Sequence, residues 1–281
     1  MKIVFIQELI DRIRDKVFAL PSVTNKSVCI KRVKDFNTLI LGSSQMECGY
    51  IPSENEINLS SASMDLYYTY NYYHKYQNEN LKNVIVGFSV FTQGSSLIMQ
   101  SLANICVLHK ILCGIEYQYP DVARKKKLYS NEKRYRKLVD KYLSKTHFSK
   151  DFRGELLKYS ENIQVHSAEK VKERALKHYK NNVRKNSQME YCKKLLDETA
   201  YNNQKLFFVI PPCSEIYREP LPTGEIIFEN LYKLCSNYTH VQIINLYGSN
   251  EFSLNDFIDG DHLNKWGAEK MTEIIHKALD I

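Results

Sequence analysis

Two short segments at opposite ends of this 281-residue chain hold residues that could do chemistry together. In LILGSSQ, residues 39 to 45, an apolar run breaks at Gly42 into Ser43 and Ser44; in FIDGDHLNKWGAEKM, residues 257 to 271, Asp259 stands three residues ahead of His262. A serine, a histidine and an acid are the minimum for catalysis by a hydroxyl nucleophile. The imidazole takes the serine proton, and the carboxylate holds the imidazole in the required tautomer. Each piece also has a plainer reading. A serine at a strand-to-helix turn is commonly an N-cap, and Asp-Gly-Asp suits an Asx turn that opens a helix. The two segments taken together favour the catalytic reading of Ser44, Asp259 and His262. Asp256 and Asp261 are rival carboxylates, and a metal site built from these three acids would lack the regular oxygen-ligand spacing of a calcium loop.

The elements that would position these residues can be read from periodicity. Short apolar runs bounded by polar residues or turn formers predict buried strands at 37 to 42, 56 to 59, 83 to 91, 206 to 212 and 241 to 247. Helical spacing of aromatic or aliphatic residues lies between them, in MDLYYTYNYYHKY and GEIIFENLYKLC. Alternating strands and helices predict a doubly wound α/β fold with a mostly parallel five-stranded sheet. In such a sheet ligands bind outside the carboxyl ends of the strands, where Ser44 would sit. The tyrosines at 67 to 76 are read as core, and Cys48 and Cys213 as buried small residues rather than nucleophiles.

The interval 95 to 204 departs from that rhythm and is expected to be a helical insertion in a single domain spanning 1 to 281, with residues 1 to 36 an N-terminal helical segment. The insertion opens with an apolar stretch, SLIMQSLANICVLHKILCGIEY, in which Gln100, Asn104, His109 and Lys110 argue against a membrane span. A basic run follows, RKKKLYSNEKRYRKLVDKYLSK at 124 to 145, which carries much of the chain's net charge of +7. A solvated helical face is the default for such a run. Attraction to an anionic polysaccharide or a membrane surface is a second reading, and nucleic acid is disfavoured because no binding-module motif accompanies the charge.

A hydrophobic share of 43% is enough for a packed core, which excludes a disordered chain. The first helix pattern, with Val4, Ile6, Leu9, Ile10, Ile13 and Val17 at helical spacing, is too interrupted by charge to span a membrane and reads as a packed helix or, second, a surface anchor. Seven cysteines without a CxxC pair suggest a reducing compartment, so a cytoplasmic protein, peripheral at most to the membrane, is expected.

The order and content of ILGSSQMECGYIP, INLSSASMDLYYTYNYYHKY, LKNVIVGFSVF and FIDGDHLNKWG resemble the SGNH hydrolase superfamily, the GDSL esterases and lipases. The Gly42-Ser43-Ser44 form, where the family usually has Gly-Asp-Ser, is similar to its branch that acts on cell-surface polymers. The resemblance covers roughly residues 37 to 92 and 205 to 278 and implies the flavodoxin-like SGNH fold. It also implies Ser44 as nucleophile, His262 as general base and then acid, and Asp259 as its orienting acid. The oxyanion donors it implies are the Ser44 amide, the Ser60 amide in place of the family's glycine, and Ser89, two residues after Gly87, in place of the family's asparagine. It further implies an esterase or O-acyltransferase, O-acetyl by expectation, working without metal or organic cofactor. The partners implied are an acylated carbohydrate, or a sugar acceptor with an acyl donor, in surface-polysaccharide assembly. The substituted donors motivate an alternative: a non-catalytic module of the same fold that binds polysaccharide or a biosynthetic partner.

Overall fold

The computed structural model describes residues 20–94, 103–117, 125–126, 129–156, 167–182 and 188–279. The helix expected over Val4 to Val17, the first part of the apolar stretch from 96, and Lys127 in the basic run lie outside the described residues.

Five strands, β1 (Thr38–Leu41), β2 (Glu56–Asn58), β3 (Asn83–Gly87), β4 (Lys205–Ile210) and β5 (Val241–Asn245), form one sheet in the order β2-β1-β3-β4-β5, parallel throughout. This is the flavodoxin-like order, whose reversal between β1 and β3 opens a crevice at their carboxyl ends. All of β1 and β2 is buried, as expected of a parallel sheet covered on both faces. One face carries α1 (Leu20–Cys29), α3 (Leu66–Tyr76), α4 (Ala103–Cys113), α7 (Met189–Tyr201) and α9 (Gly224–Cys235) over a core that includes Leu39, Val84, Val86 and Phe208. The other carries α2 (Ser44–Gly49) and α10 (Lys265–Leu279) over Ile40, Ile85, Phe207 and Val209. Two further helices, α5 (Glu132–Leu143) and α6 (Ala168–Asn182), lie in the chain between β3 and β4, and the short α8 (Glu215–Arg218) follows β4.

The third strand stops earlier than its apolar run suggests. The ladder closes with Phe88 N donating to Val209 O; Ser89 N then turns to the Thr92 hydroxyl, and Thr92 N donates back to Ser89 O. Phe88 to Phe91 therefore leave the sheet in a turn at the crevice. α4 ends at Cys113 because Gly114 takes a left-handed conformation, φ 62°, and its amide closes on Lys110 O. His109, within that helix, is fully buried and hydrogen-bonded to the Tyr72 hydroxyl, and burial lowers its pKa to about 3, so it is a neutral core residue. Tyr67, Tyr68, Tyr72 and Tyr73 are buried as expected. In α5, Tyr135 and Val139 face inward at a four-residue spacing while Lys133, Arg134, Arg136 and Lys137 are exposed, the solvated face expected of the basic run. Among the described residues no helix is long and apolar enough to cross a membrane.

The turn between β1 and α2 is set by two glycines and a methionine. Gly42 has φ 149°, and a Cβ there would lie 2.8 Å from Met46 Cγ and 3.2 Å from Gly87 N; a Cβ on Gly87 would lie 2.1 Å from Met46 Cγ. Met46 fills the slot that both glycines leave, which seats α2 directly on the ends of β1 and β3. Gly42→Ala combines backbone strain with this clash and is expected to cost about 1–3 kcal/mol. It should appear as a lower urea midpoint at unchanged slope, and an unchanged midpoint would show that the turn tolerates a side chain.

Candidate active site

Ser44 is the first residue of α2, carried to the carboxyl end of β1 by the Gly42 turn. The N-cap position belongs to Ser43, whose hydroxyl donates to Gln45 Oε1 instead of capping the helix. The plain capping role thus does not fall to Ser44, whose Oγ lies 2.8 Å from His262 Nε2. His262 is 218 residues away in sequence, on the loop between the 3₁₀ turn Leu254–Asp256 and α10.

Asp259 makes the contacts that both readings of it require. Its Oδ1 accepts from the amides of Asp261 (3.0 Å) and His262 (2.9 Å), an Asx turn that fixes the loop, and its Oδ2 lies 2.9 Å from His262 Nδ1. With Nδ1–H donating to Asp259, Nε2 is left to accept from Ser44. The line Asp259–His262–Ser44 has the connectivity of a serine-nucleophile triad.

The rival acids are disposed of by geometry. Asp256 makes a capping box with Ser253 and pairs with Lys270 at 2.8 Å. Asp261 is buried and stands 3.9 Å from His262 Nδ1; its Oδ2 accepts from Gln45 Nε2 at 2.8 Å and its Oδ1 lies 2.8 Å from Arg174 Nε. Asp259, Asp261 and His262 could offer ligand atoms to a cation within 4.8 Å of one another. The half-buried guanidinium of Arg174 already supplies positive charge to both carboxylates, with Nη1 3.6 Å from Asp259 Oδ2.

Burial by itself would lower the pKa of His262. The carboxylates of Asp261 and Asp259 outweigh it, and the net shift is upward. Burial alone would raise Asp259, but the hydrogen bond and charge of His262, with Arg174 behind them, hold it well below the ordinary carboxylate range. Burial pushes the thiols of Cys48 and Cys213 upward, so both stay protonated.

The expected oxyanion donors are not brought together in the same way. The Ser44 amide opens α2, where the first amides of a helix lack intrahelical partners. The Ser60 amide donates to Asn58 Oδ1 at 2.9 Å, and the Ser61 amide to Gly42 O at 3.0 Å. The side chains of Asn58 and Ser60 are buried, with Asn58 Nδ2 tied to the Met46 and Tyr50 carbonyls, so this segment buttresses α2. The Ser89 hydroxyl is 3.0 Å from that of Thr92, within the turn that follows β3. Gly87 serves as the close-packing point under Met46. The Ser60 amide is thus engaged within the protein, and the Ser89 hydroxyl is shared with that of Thr92.

Sequence reasoning passed over five residues that tie the site together. Gln45 links Ser43 to Asp261, and Arg174 of α6 reaches the two carboxylates. Behind α2, buried Glu47 accepts from the Ser22 hydroxyl at 2.8 Å and lies 3.7 Å from buried Lys26. Arg174 sits in an ordinary basic helical run, and only Gln45, next to Ser44, had a position that could have drawn notice.

The protonation of His262 is directly measurable. In a titration of the histidine rings by NMR, His262 should change charge above the ordinary value of ~6.5. Asp259→Asn should bring that midpoint down, because it removes a carboxylate and the hydrogen bond that favours the imidazolium. A midpoint at or below 6.5 in the unaltered protein would contradict this account of the site.

No protein-family model matches the chain, and no curated protein matches it. Among solved structures, the chain is similar to the crystal structure of a Bacteroides fragilis protein described as a presumed acylhydrolase. The identity is 8% and the TM-score 0.40, over 90% of this chain and 94% of that one.

Proposed function

We propose that the chain is a serine-dependent esterase or O-acyltransferase, and that its reaction is transfer of an acyl group, acetyl by expectation, to a carbohydrate hydroxyl in surface-polysaccharide assembly. One observation carries the reading: the Ser44 hydroxyl, the His262 imidazole and the Asp259 carboxylate form a continuous hydrogen-bonded line at the carboxyl edge of a parallel sheet. The carbohydrate, the transfer and the acetyl group rest on the sequence resemblance.

In this cycle Ser44 Oγ attacks the acyl carbonyl while its proton passes to His262 Nε2. The imidazolium is stabilised by Asp259, whose carboxylate stays ionised. The developing oxyanion faces the Ser44 amide at the start of α2. Collapse expels the donor's leaving group, which takes the proton from His262, and an acyl-enzyme remains on Ser44. An acceptor hydroxyl, or water, then gives its proton to His262 and attacks the ester carbonyl, and Ser44 leaves with that proton. Every proton moves through one imidazole, and the residues present need no cofactor for the cycle. Transfer requires that acceptor be held near His262 and water kept out.

A second reading has a specific observation behind it. The Ser60 amide donates to Asn58 Oδ1, so one of the three oxyanion donors implied by the resemblance is not free, and the Ser89 hydroxyl is shared with that of Thr92. Loss of one such donor costs ~2.7–4 kcal/mol in the barrier. A protein of this fold that binds polysaccharide or a biosynthetic partner without turnover would need none of them.

Turnover of a small acyl ester separates the two. Ser44→Ala and His262→Ala should each abolish it with the fold intact, and Asp259→Asn should lower kcat by up to about 10⁴-fold through a wrongly held imidazole. Wild-type turnover in Ser44→Ala would overturn the triad, and no turnover in any form would favour the binding module. Offering an activated acetyl donor with and without sugar acceptors, and following free acetate and acetylated sugar by mass spectrometry, decides between transfer and hydrolysis. Acetate release indifferent to every acceptor would leave an esterase.

A further inference from the structure

The loop that carries His262 presents the imidazole with two carboxylates, and a helix from the segment between β3 and β4 touches all three groups. Arg174, on α6, has Nε 2.8 Å from Asp261 Oδ1, Nη1 3.6 Å from Asp259 Oδ2 and Nη2 3.3 Å from His262 Nδ1. We propose that Arg174 is a positioning residue for His262: by engaging Asp261 on the far side of the loop, its guanidinium leaves Asp259 as the carboxylate that the imidazole addresses. The inference rests on His262 being the base for Ser44, and it makes α6 a working part of the site.

The geometry has the asymmetry that such a role needs. His262 Nδ1 is 2.9 Å from Asp259 but 3.9 Å from Asp261, although the two carboxylates are only two residues apart on one loop. Asp261 is held at both ends, by Arg174 on one oxygen and by Gln45 on the other. Gln45 in turn is joined to Ser43, the residue before the nucleophile, so the guanidinium and the nucleophile turn are connected through Asp261. Arg174 is anchored by its own helix: Val171 is buried, and Lys170, Val171 and Arg174 line a cavity of about 230 Å³ with Asp259 and Gly260. Nη2 cannot donate to Nδ1 while Nδ1 carries the proton directed at Asp259. Its contact with the ring is therefore electrostatic, and a cation at 3.3 Å disfavours the imidazolium.

The other titratable groups around His262 leave this effect exposed. On α6, His178 is hydrogen-bonded to the Tyr217 hydroxyl of α8, and burial lowers its pKa to about 4, so it is neutral. Tyr217 and Cys213 stay protonated because burial raises both. On α2, burial raises Glu47 while Lys26 and Ser22 oppose it. Lys170 is exposed at the cavity rim, and Lys177 of α6 and Arg218 of α8 act on His178 and Cys213. Removing the Arg174 charge therefore takes away the cation that touches the ring and leaves the carboxylates of Asp259 and Asp261 facing it.

Two readouts test this. In Arg174→Met the NMR titration midpoint of His262 should rise by about 1 unit or more, and the acidic limb of kcat/KM should move up with it. Arg174→Lys, which keeps the charge, should stay near the wild type. In the double variant Arg174→Met with Asp261→Asn the midpoint should fall back, because the competing carboxylate has gone. If Arg174→Met does not fold, Arg174→Gln removes the same charge and should show the same rise. A His262 midpoint that is unchanged or lower in a folded, uncharged variant would overturn the proposal and leave Arg174 a packing residue. The ring titration needs no turnover, so absence of esterase activity and absence of this shift are separate results.

Discussion

The structure turns on one contact across the chain: the Ser44 hydroxyl, at the end of the first strand, hydrogen-bonded to the imidazole of His262, on the loop before the last helix. For the two to meet, the carboxyl end of β1 must be open at the point where strand order reverses, and the loop after β5 must cross the edge of the sheet to reach it. Both conditions are met by local chemistry. Gly42 and Gly87 let α2 sit on the ends of β1 and β3 with Met46 between them, which places Ser44 at the carboxyl end of β1. The Asx turn at Asp259, the Ser253–Asp256 capping box and the hydrogen bond from Ser214 N to Gly260 O hold the histidine loop over that hydroxyl.

Charge is arranged in two layers around this contact. In front, Asp259, Asp261 and Arg174 surround the imidazole, and the two carboxylates prevail over burial to raise its pKa. Behind, Lys26 and Glu47 form an ion pair under α2, further satisfied by Ser22 and by the carbonyl of Gly154. Removing one member of such a buried pair is far more damaging than replacing both, because an uncompensated charge is left in low dielectric. The helix that bears Ser44 is thus held by charge and by packing.

The sheet, its strand positions and the Ser44–His262–Asp259 line could be read from the sequence because each depends on a local pattern: apolar runs broken by glycine, and an Asp-x-x-His before a helix. The strand ends were less legible. β3 stops at Gly87 because the Thr92 hydroxyl captures the Ser89 amide, a turn that an apolar run conceals. Oxyanion donors named by alignment to a family pattern identify positions but not directions. Ser60 falls at the right edge, yet its amide points to Asn58, a partner two residues away that the pattern does not include. Arg174 was invisible for a different reason, since one arginine in a basic helix has no local mark and only the tertiary fold brings it to the acids.

The most direct test of the account is covalent labelling of Ser44 by a fluorophosphonate, read by intact mass and peptide mapping on the unaltered protein and on His262→Ala. Such a reagent phosphonylates a serine only when a neighbouring base takes its proton. The account predicts a single adduct, on Ser44, which is lost or greatly slowed without His262. No adduct under conditions that label a known serine esterase, or one on Ser44 that forms equally fast in His262→Ala, would contradict it.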